Sequence, residues 1–173
     1  MSTASEPTTL EQLVDAIAAD PAQGRLTIAV DGRTREGLHC EARARDHRVD
    51  FDEPAELAGT DLGPNPVEMV LAAFGACQAI TYRVWAARLG LRLDDVRFEL
   101  EGDIDLAGFL GVRDDVRPGP TAVRERIVLV GPEPRERYEE LARVVDRHCP
   151  VLDLVANREP VTVDVVVESP PGA

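Results

Sequence analysis

Asn65-Pro66 opens, and Gly90 closes, a run of roughly 24 residues that reads as one helix of about 36 Å. Asn65 supplies the N-cap oxygen, and Pro66 takes the first helical position, where no backbone donor is needed. The first half of the run, Met69 to Ile80, is almost wholly apolar and small, so nearly every side of it must be covered by other parts of the protein. Arg83 and Arg88 interrupt it too soon for a membrane span. One chain of 173 residues with a small sheet can hardly cover such a helix, which predicts a homodimer.

Around this helix the pattern alternates between strand and helix periodicities. Thr8 and Glu11 form a capping-box pattern ahead of Leu10, Leu13, Val14, Ile17 and Ala18, which predicts a short amphipathic helix over residues 9–20. Leu26 to Val30, Leu38 to Ala44 and Arg48 to Phe51 read as antiparallel strands, broken at Asp31-Gly32 and at Asp46. Asp52 to Pro64 contains Pro54, Gly59, Gly63 and Pro64, a density of breakers that describes a surface loop. Leu93 to Glu101 and Ile127 to Val130 are further strands, with an irregular stretch from Gly102 to Pro120 between them. Pro134 to His148 is predicted as a second long helix, with Tyr138, Leu141, Val145 and Cys149 on one face, and the β-branched run Val161 to Val167 as a closing strand. Strands grouped before and after two long helices define an α+β fold of antiparallel sheets, since neither βαβ alternation nor a dinucleotide loop occurs. The expected organisation is a helical extension over 1–24, a single domain over 25–168 and a tail over 169–173.

The inventory of side chains removes several functions. Asp and Glu outnumber basic residues 32 to 19 and the net charge is −13, which excludes the contiguous cationic surface that nucleic acid requires. Every basic residue in the count of 19 is an arginine, so Schiff-base and lysine general-base chemistry are excluded. The segment Met1 to Leu10 is Ser/Thr-rich and acidic, without the cationic start and apolar run of a secretory signal, and the expectation is a cytoplasmic protein. Three cysteines in a reducing compartment do not make a disulfide framework, and no Cys-x-x-Cys or His-rich spacing suggests zinc, so no metal or cofactor is expected.

Cys77 and Cys149 lie at core-facing positions of the two long predicted helices, 72 residues apart, where packing the helices together can bring the sulfurs close. Two readings stand. Free cysteine is among the most buried residue types, so both can be small core residues; or they can be a redox pair, and spacing does not decide. Cys40 sits in a strand among charged residues and reads as incidental. His47 and His148 lack the spacing of a triad or a metal site, while Tyr82 and Trp85 read as core or dimer contacts.

The stretch Gly63-Pro64-Asn65-Pro66-Val67-Glu68-Met69-Val70-Leu71-Ala72-Ala73-Phe74-Gly75-Ala76-Cys77 resembles the signature of the OsmC/Ohr superfamily, in which Asn-Pro opens the central helix and a cysteine follows twelve residues after the Asn. Asp52-Glu53-Pro54, Gly59-Thr60-Asp61, Glu101-Gly102-Asp103, Gly108-Phe109-Leu110-Gly111 and His148-Cys149-Pro150-Val151 resemble further family segments in the same order, so that the likeness runs from about Leu26 to Val167. The resemblance implies an OsmC-like fold in an intertwined homodimer, with each active site built at the subunit interface, and a two-cysteine peroxidase cycle that serves oxidative stress defence. In that cycle the residue matching Cys77 attacks an organic hydroperoxide as a thiolate and becomes a sulfenic acid. The residue matching Cys149 condenses with it to a disulfide, and an external dithiol resets the pair.

Cys77 sits mid-helix, where the helix dipole gives little help, so a nearby arginine is required to lower its pKa. The family places that arginine in the N-terminal sheet, where Arg33, Arg35, Arg43, Arg45 and Arg48 all lie. Arg45, in an Arg-Asp-His stretch that resembles an Arg-Gly-His pattern of some OsmC-like proteins, is the candidate. Cys149 is expected to close a helix, whose negative end disfavours a thiolate and suits a resolving thiol; a new helical turn starting at Pro150 would cancel part of that. The chain departs from the peroxidase pattern at one place. Peroxidase members carry a glutamate immediately after Asn-Pro, where this chain has Val67, with Glu68 one residue later. Nine residues at about 100° each put Glu68 opposite Cys77, and Asn65-x-x-Glu68 is a capping box, so Glu68 reads as structural. That departure keeps a second function open, a non-catalytic small-molecule binding or scavenging protein of the same fold.

Overall fold

A computed structural model describes residues 9–169; Thr8 of the expected capping box, with the rest of 1–8, and residues 170–173 of the tail lie outside them. The chain divides into two compact units between Pro64 and Asn65, a boundary inside the stretch expected as one domain.

The first unit begins with helix α1, Leu10–Ala19, capped one place later than the sequence suggested. The Thr9 hydroxyl accepts from the Gln12 N–H at 3.2 Å, and the Gln12 side chain accepts from the Thr9 N–H at 2.8 Å. Strands β1 (Asp31–Thr34), β2 (Cys40–Ala44) and β3 (His47–Phe51) form an antiparallel meander in that order. The register pairs Arg33 with Glu41, Arg43 with Arg48 and Glu41 with Asp50, so these side chains share one face. Cys40, Ala42, Val49 and Phe51 share the other. Asp31-Gly32, read in the sequence as a break, is therefore part of a strand. Gly32 serves there because a Cβ would come 2.8 Å from the Glu41 carbonyl oxygen. Leu26–Val30, predicted as a strand, pairs with none of the described residues, and Leu26, Ile28 and Val30 are all exposed.

The loop after β3 is closed by one carboxylate. Asp52, 2% exposed, accepts from the backbone N–H of Glu53 (2.8 Å), Thr60 (3.0 Å) and Leu62 (3.3 Å) and from the Thr60 hydroxyl (2.5 Å). The Thr60 hydroxyl, opposed by burial and helped by the three N–H groups, brings its pKa down to about 2. The clamp holds Ala58 and Asp61 in the left-handed region, at φ 66 and 57, which non-glycine residues seldom occupy. Gly59 packs on the Glu53 backbone with no room for a Cβ.

In the second unit α2, Pro66–Arg88, forms as its caps predict: Asn65 Oδ1 accepts from the Glu68 N–H at 2.8 Å, and Glu68 Oε2 accepts from the Asn65 N–H at 2.9 Å. By length and hydropathy this helix would also suffice to cross a membrane, yet Phe74, Gly75, Gln78, Thr81, Tyr82 and Ala86 are buried in the protein's own interior. One side lies on a two-stranded antiparallel sheet of β4 (Asp95–Asp103) and β5 (Ala122–Val130), with Gly75 directly over Phe98 and Leu100. The other meets α4 (Arg135–Asp146) and α5 (Pro150–Ala156); α3 (Leu106–Phe109) is a short turn between the two strands. Tyr82, Ala86, Leu141 and Val145 make the buried core, walled by Trp85, Leu91, Val96 and Ile127.

The second long helix of the sequence reading is broken in two. A residue before proline is driven out of the α region, and Cys149, ahead of Pro150, is extended at φ −83, ψ 111, so α4 stops at Asp146 and α5 starts after the corner. β5 starts at Ala122, five residues before its apolar run, because Arg124 and Arg126 pair across the strands with Glu101, Asp103 and Glu99. The β-branched run Val161–Val167 has strand propensity, but no ladder forms with the described residues, and its valines stand exposed. A strand needs a partner for its backbone groups as well as a propensity.

Candidate functional site

The corner between α4 and α5 carries Cys149 to the side of α2. Cys149 is 2% exposed, and its thiol points at Cys77 Sγ at 3.6 Å. Cys77 is half-buried in the middle of α2, its carbonyl accepting from the Thr81 hydroxyl at 2.7 Å. The next residue, Gln78, is 3% exposed, and its Oε1 has no partner among the described residues. Two thiols 72 residues apart are thus brought within sulfur–sulfur hydrogen-bonding distance, as the sequence reading anticipated as one of its alternatives.

Cys149, expected from the sequence to end a helix at its negative pole, is placed elsewhere by the fold. It does not close a helix; it is the N-cap of α5 and lies next to the N–H groups of Val151 and Leu152. Burial nevertheless pushes the Cys149 thiol up. The Leu152 N–H opposes this, the hydrogen bond and charge of Cys77 add to it, and the Val151 N–H opposes it again. Burial and the neighbouring Cys77 sulfur thus both favour the protonated thiol at Cys149.

The expected arginines are placed unevenly. Arg35 pairs with Glu41 at 2.8 Å; Arg48 pairs with Asp50 at 2.7 Å and reaches Glu41 at 3.4 Å, while His39 shares Asp50 at 2.8 Å. Arg33, Arg43 and Arg45 make no ion pair among the described residues. Arg45 stands in the exposed turn between β2 and β3, at φ 57, and not in a strand. In the unit that holds the thiols, no described arginine hydrogen-bonds Cys77. Arg83 reaches the Asp94 carbonyl, Arg124 is held by Glu101 and Asp103, and Arg88 lies over Trp85.

Glu68 is exposed and its Oε2 is committed to the cap, as the spacing predicted. It edges an open groove of about 260 Å³ with Leu71, Ala72, Phe98 and Leu100. Cys40 stands on the smaller-residue face of β2 as a free thiol. No group of three or more His, Cys, Asp or Glu residues suited to a metal occurs among the described residues. His148 was set aside in the sequence for want of a spacing pattern, yet its ring stacks on Trp85 with centroids 4.3 Å apart, one residue before Cys149. No sequence period links residues 85 and 148, so only the fold reveals that contact.

A small α+β domain whose central apolar helix carries a thiol facing a second thiol defines a class of thiol-bearing proteins. This chain belongs to the OsmC-like protein family, whose profile matches residues 59–164, more than half of its length. Among solved structures it is similar to an OsmC-like protein from Mycoplasma pneumoniae (15% identity, TM-score 0.66, covering 76% of this chain and 88% of that one). It is also similar to an organic hydroperoxide resistance protein OsmC from Legionella pneumophila (19% identity, TM-score 0.58, covering 76% and 91%). An organic hydroperoxide resistance protein from Elizabethkingia anophelis matches with 13% identity and a TM-score of 0.57, covering 76% and 90%. At these identities the likeness is one of fold. Comparison with curated proteins gives no match.

Proposed function

We propose that this protein is a thiol-dependent peroxidase that reduces organic hydroperoxides in the cytoplasm, with Cys77 as the attacking and Cys149 as the resolving thiol. The observation that carries this reading is the 3.6 Å contact between the two sulfurs. The Cys77 thiolate attacks the outer peroxide oxygen; the O–O bond breaks, Cys77 becomes a sulfenic acid, and the alkoxide takes a proton and leaves as the alcohol. Cys149 then attacks the sulfenic sulfur, its proton leaves with the hydroxyl as water, and a disulfide forms. An external dithiol returns both sulfurs to thiols. Family membership and the hydroperoxide-resistance names of two neighbours support the substrate class.

The thiolate requires a cation, and Arg45 is the residue we assign, because it carries the Arg-Asp-His resemblance and, like Arg33 and Arg43, makes no ion pair among the described residues, whereas Arg35 and Arg48 are paired. We further propose a homodimer. Leu26–Val30 and Val161–Val167 leave rows of apolar side chains uncovered in one chain, and a second copy can cover them. Native mass spectrometry at micromolar concentration should give twice the 18.8 kDa chain mass. Stopped-flow mixing of reduced protein with an alkyl hydroperoxide should oxidise Cys77 far faster than free cysteine; an equal rate rejects the peroxidase. The competing reading, a binding protein of the same fold, draws on Val67 at the family's glutamate position and on the groove beside Glu68. It expects ligand-dependent thermal shifts that survive Cys77→Ser.

A further inference from the structure

Disulfide formation must close the sulfurs from 3.6 Å to about 2.05 Å. The backbone at Cys77 cannot supply the movement, since α2 continues on both sides of it from Pro66 to Arg88. The movement falls to the corner Arg147–Pro150, which lies between two helices and where Cys149 is extended. Whatever restrains this corner therefore sets how often Cys149 Sγ lies within reach of Cys77.

His148 occupies that corner. It is exposed, yet its ring is held on two sides: Nδ1 carries a proton and donates it to the Val144 carbonyl at 2.7 Å, and the ring centroid lies 4.3 Å from that of Trp85, with the two planes tilted by 48°. Trp85 belongs to α2, the helix that bears Cys77, and Arg88 lies over its ring at 4.4 Å. The stack ties the corner to the helix that bears the other thiol, one residue from the sulfur that must move.

We propose that His148 is a positioning residue for the resolving thiol: stacked on Trp85, it anchors the α4–α5 corner so that Cys149 Sγ stays within reach of Cys77 Sγ. This deepens the two-thiol reading above and rests on it. An aromatic stack of this kind biases a local equilibrium by roughly two- to tenfold.

The test uses the reduced full-length chain and diamide, a thiol oxidant that forms disulfides without any peroxidase step, and follows the Cys77–Cys149 peptide by mass against time. His148→Ala should slow the link by roughly two- to tenfold. His148→Phe, which restores a ring without the Nδ1 donor, should return it to near the wild-type rate. His148→Asn, which offers an amide to the Val144 carbonyl but no ring, should stay slow. Against a glutathione buffer the His148→Ala disulfide should be easier to reduce, its potential rising by about 10–30 mV at about 30 mV per tenfold. A wild-type rate in His148→Ala, rescue by Asn but not by Phe, or no link in the wild type would each overturn the proposal. A wild type that links under diamide but not under alkyl hydroperoxide would remove the peroxidase reading and leave the positioning role standing.

Discussion

The loop around Asp52 and the corner around Cys149 are built alike and finished differently. Each is organised around one side chain that is 2% exposed, Asp52 by residues within ten of it in the chain and Cys149 by a helix 72 residues away. At Asp52 the carboxylate receives four donors from Glu53, Thr60 and Leu62, and its pKa falls to about 2. Nothing is left for it to do chemically. At Cys149 burial pushes the thiol up, and the atom facing it is a second sulfur that is not bonded to it. A buried charge with every acceptor site filled is structure; a buried thiol opposite another thiol is stored reactivity.

The largest effect that separates the two regions should come from Cys77→Ser, which on the peroxidase reading brings hydroperoxide consumption down to the uncatalysed level while the thermal midpoint stays near that of the wild type. A coupled assay for alcohol formation, run beside a melting curve, checks both halves. Cys149→Ser should come next. Cys77 still reacts in a first turnover, but without a resolving thiol it passes on to sulfinic and sulfonic acid, visible as mass additions to its peptide, and sustained turnover stops. Wild-type behaviour in this variant would remove Cys149 from the chemistry.

Asp52→Asn should do the opposite, lowering the thermal midpoint by several degrees with the Cys77–Cys149 link under oxidant unchanged, because the amide turns a donor toward N–H groups that need an acceptor. The pH dependence has a definite sign. The folded pKa of about 2 lies below the usual 3.8, so the Asp52 contribution to stability is complete above pH ~4 and is lost as pH falls from about 4 through about 2. Urea melts across that window should show a shallower loss in Asp52→Asn than in the wild type. The smallest effect is expected from Glu68→Gln. Glutamine keeps the acceptor for the Asn65 N–H, so Cys77 reactivity should change by about twofold or less. A tenfold loss with folding intact would make Glu68 a substitute for the family carboxylate missing at Val67.

Local signals were the most legible in the sequence. Asn65-Pro66 and Gly90 bracketed α2 to within two residues, and the Asn65–Glu68 box forms as read, because caps act over three or four residues. The meeting of Cys77 and Cys149 stood only as one alternative, since helical spacing says which face a thiol occupies and not what lies opposite. Charge hid the early half of β5, where Arg124 and Arg126 find their meaning only across the ladder at Glu101 and Glu99. The corner at Cys149 was present in Cys149-Pro150, but the apolar period of Pro134–His148 masked it. The Trp85–His148 stack had no signal at all, because a contact between one aromatic and one imidazole has no period. The runs Leu26–Val30 and Val161–Val167 showed the converse: residue preference for a strand was plain, and the partner strand was not in the described chain.

Gly75 sets a rule for how this sequence can drift. A helix interior ordinarily disfavours glycine by about 1 kcal/mol relative to alanine. Here any Cβ would overlap the Phe98 ring and the Leu100 side chain. A lineage that replaces Gly75 must shrink both strand residues as well, and one that enlarges either residue stays bound to glycine. Substitution histories at positions 75, 98 and 100 should therefore be correlated.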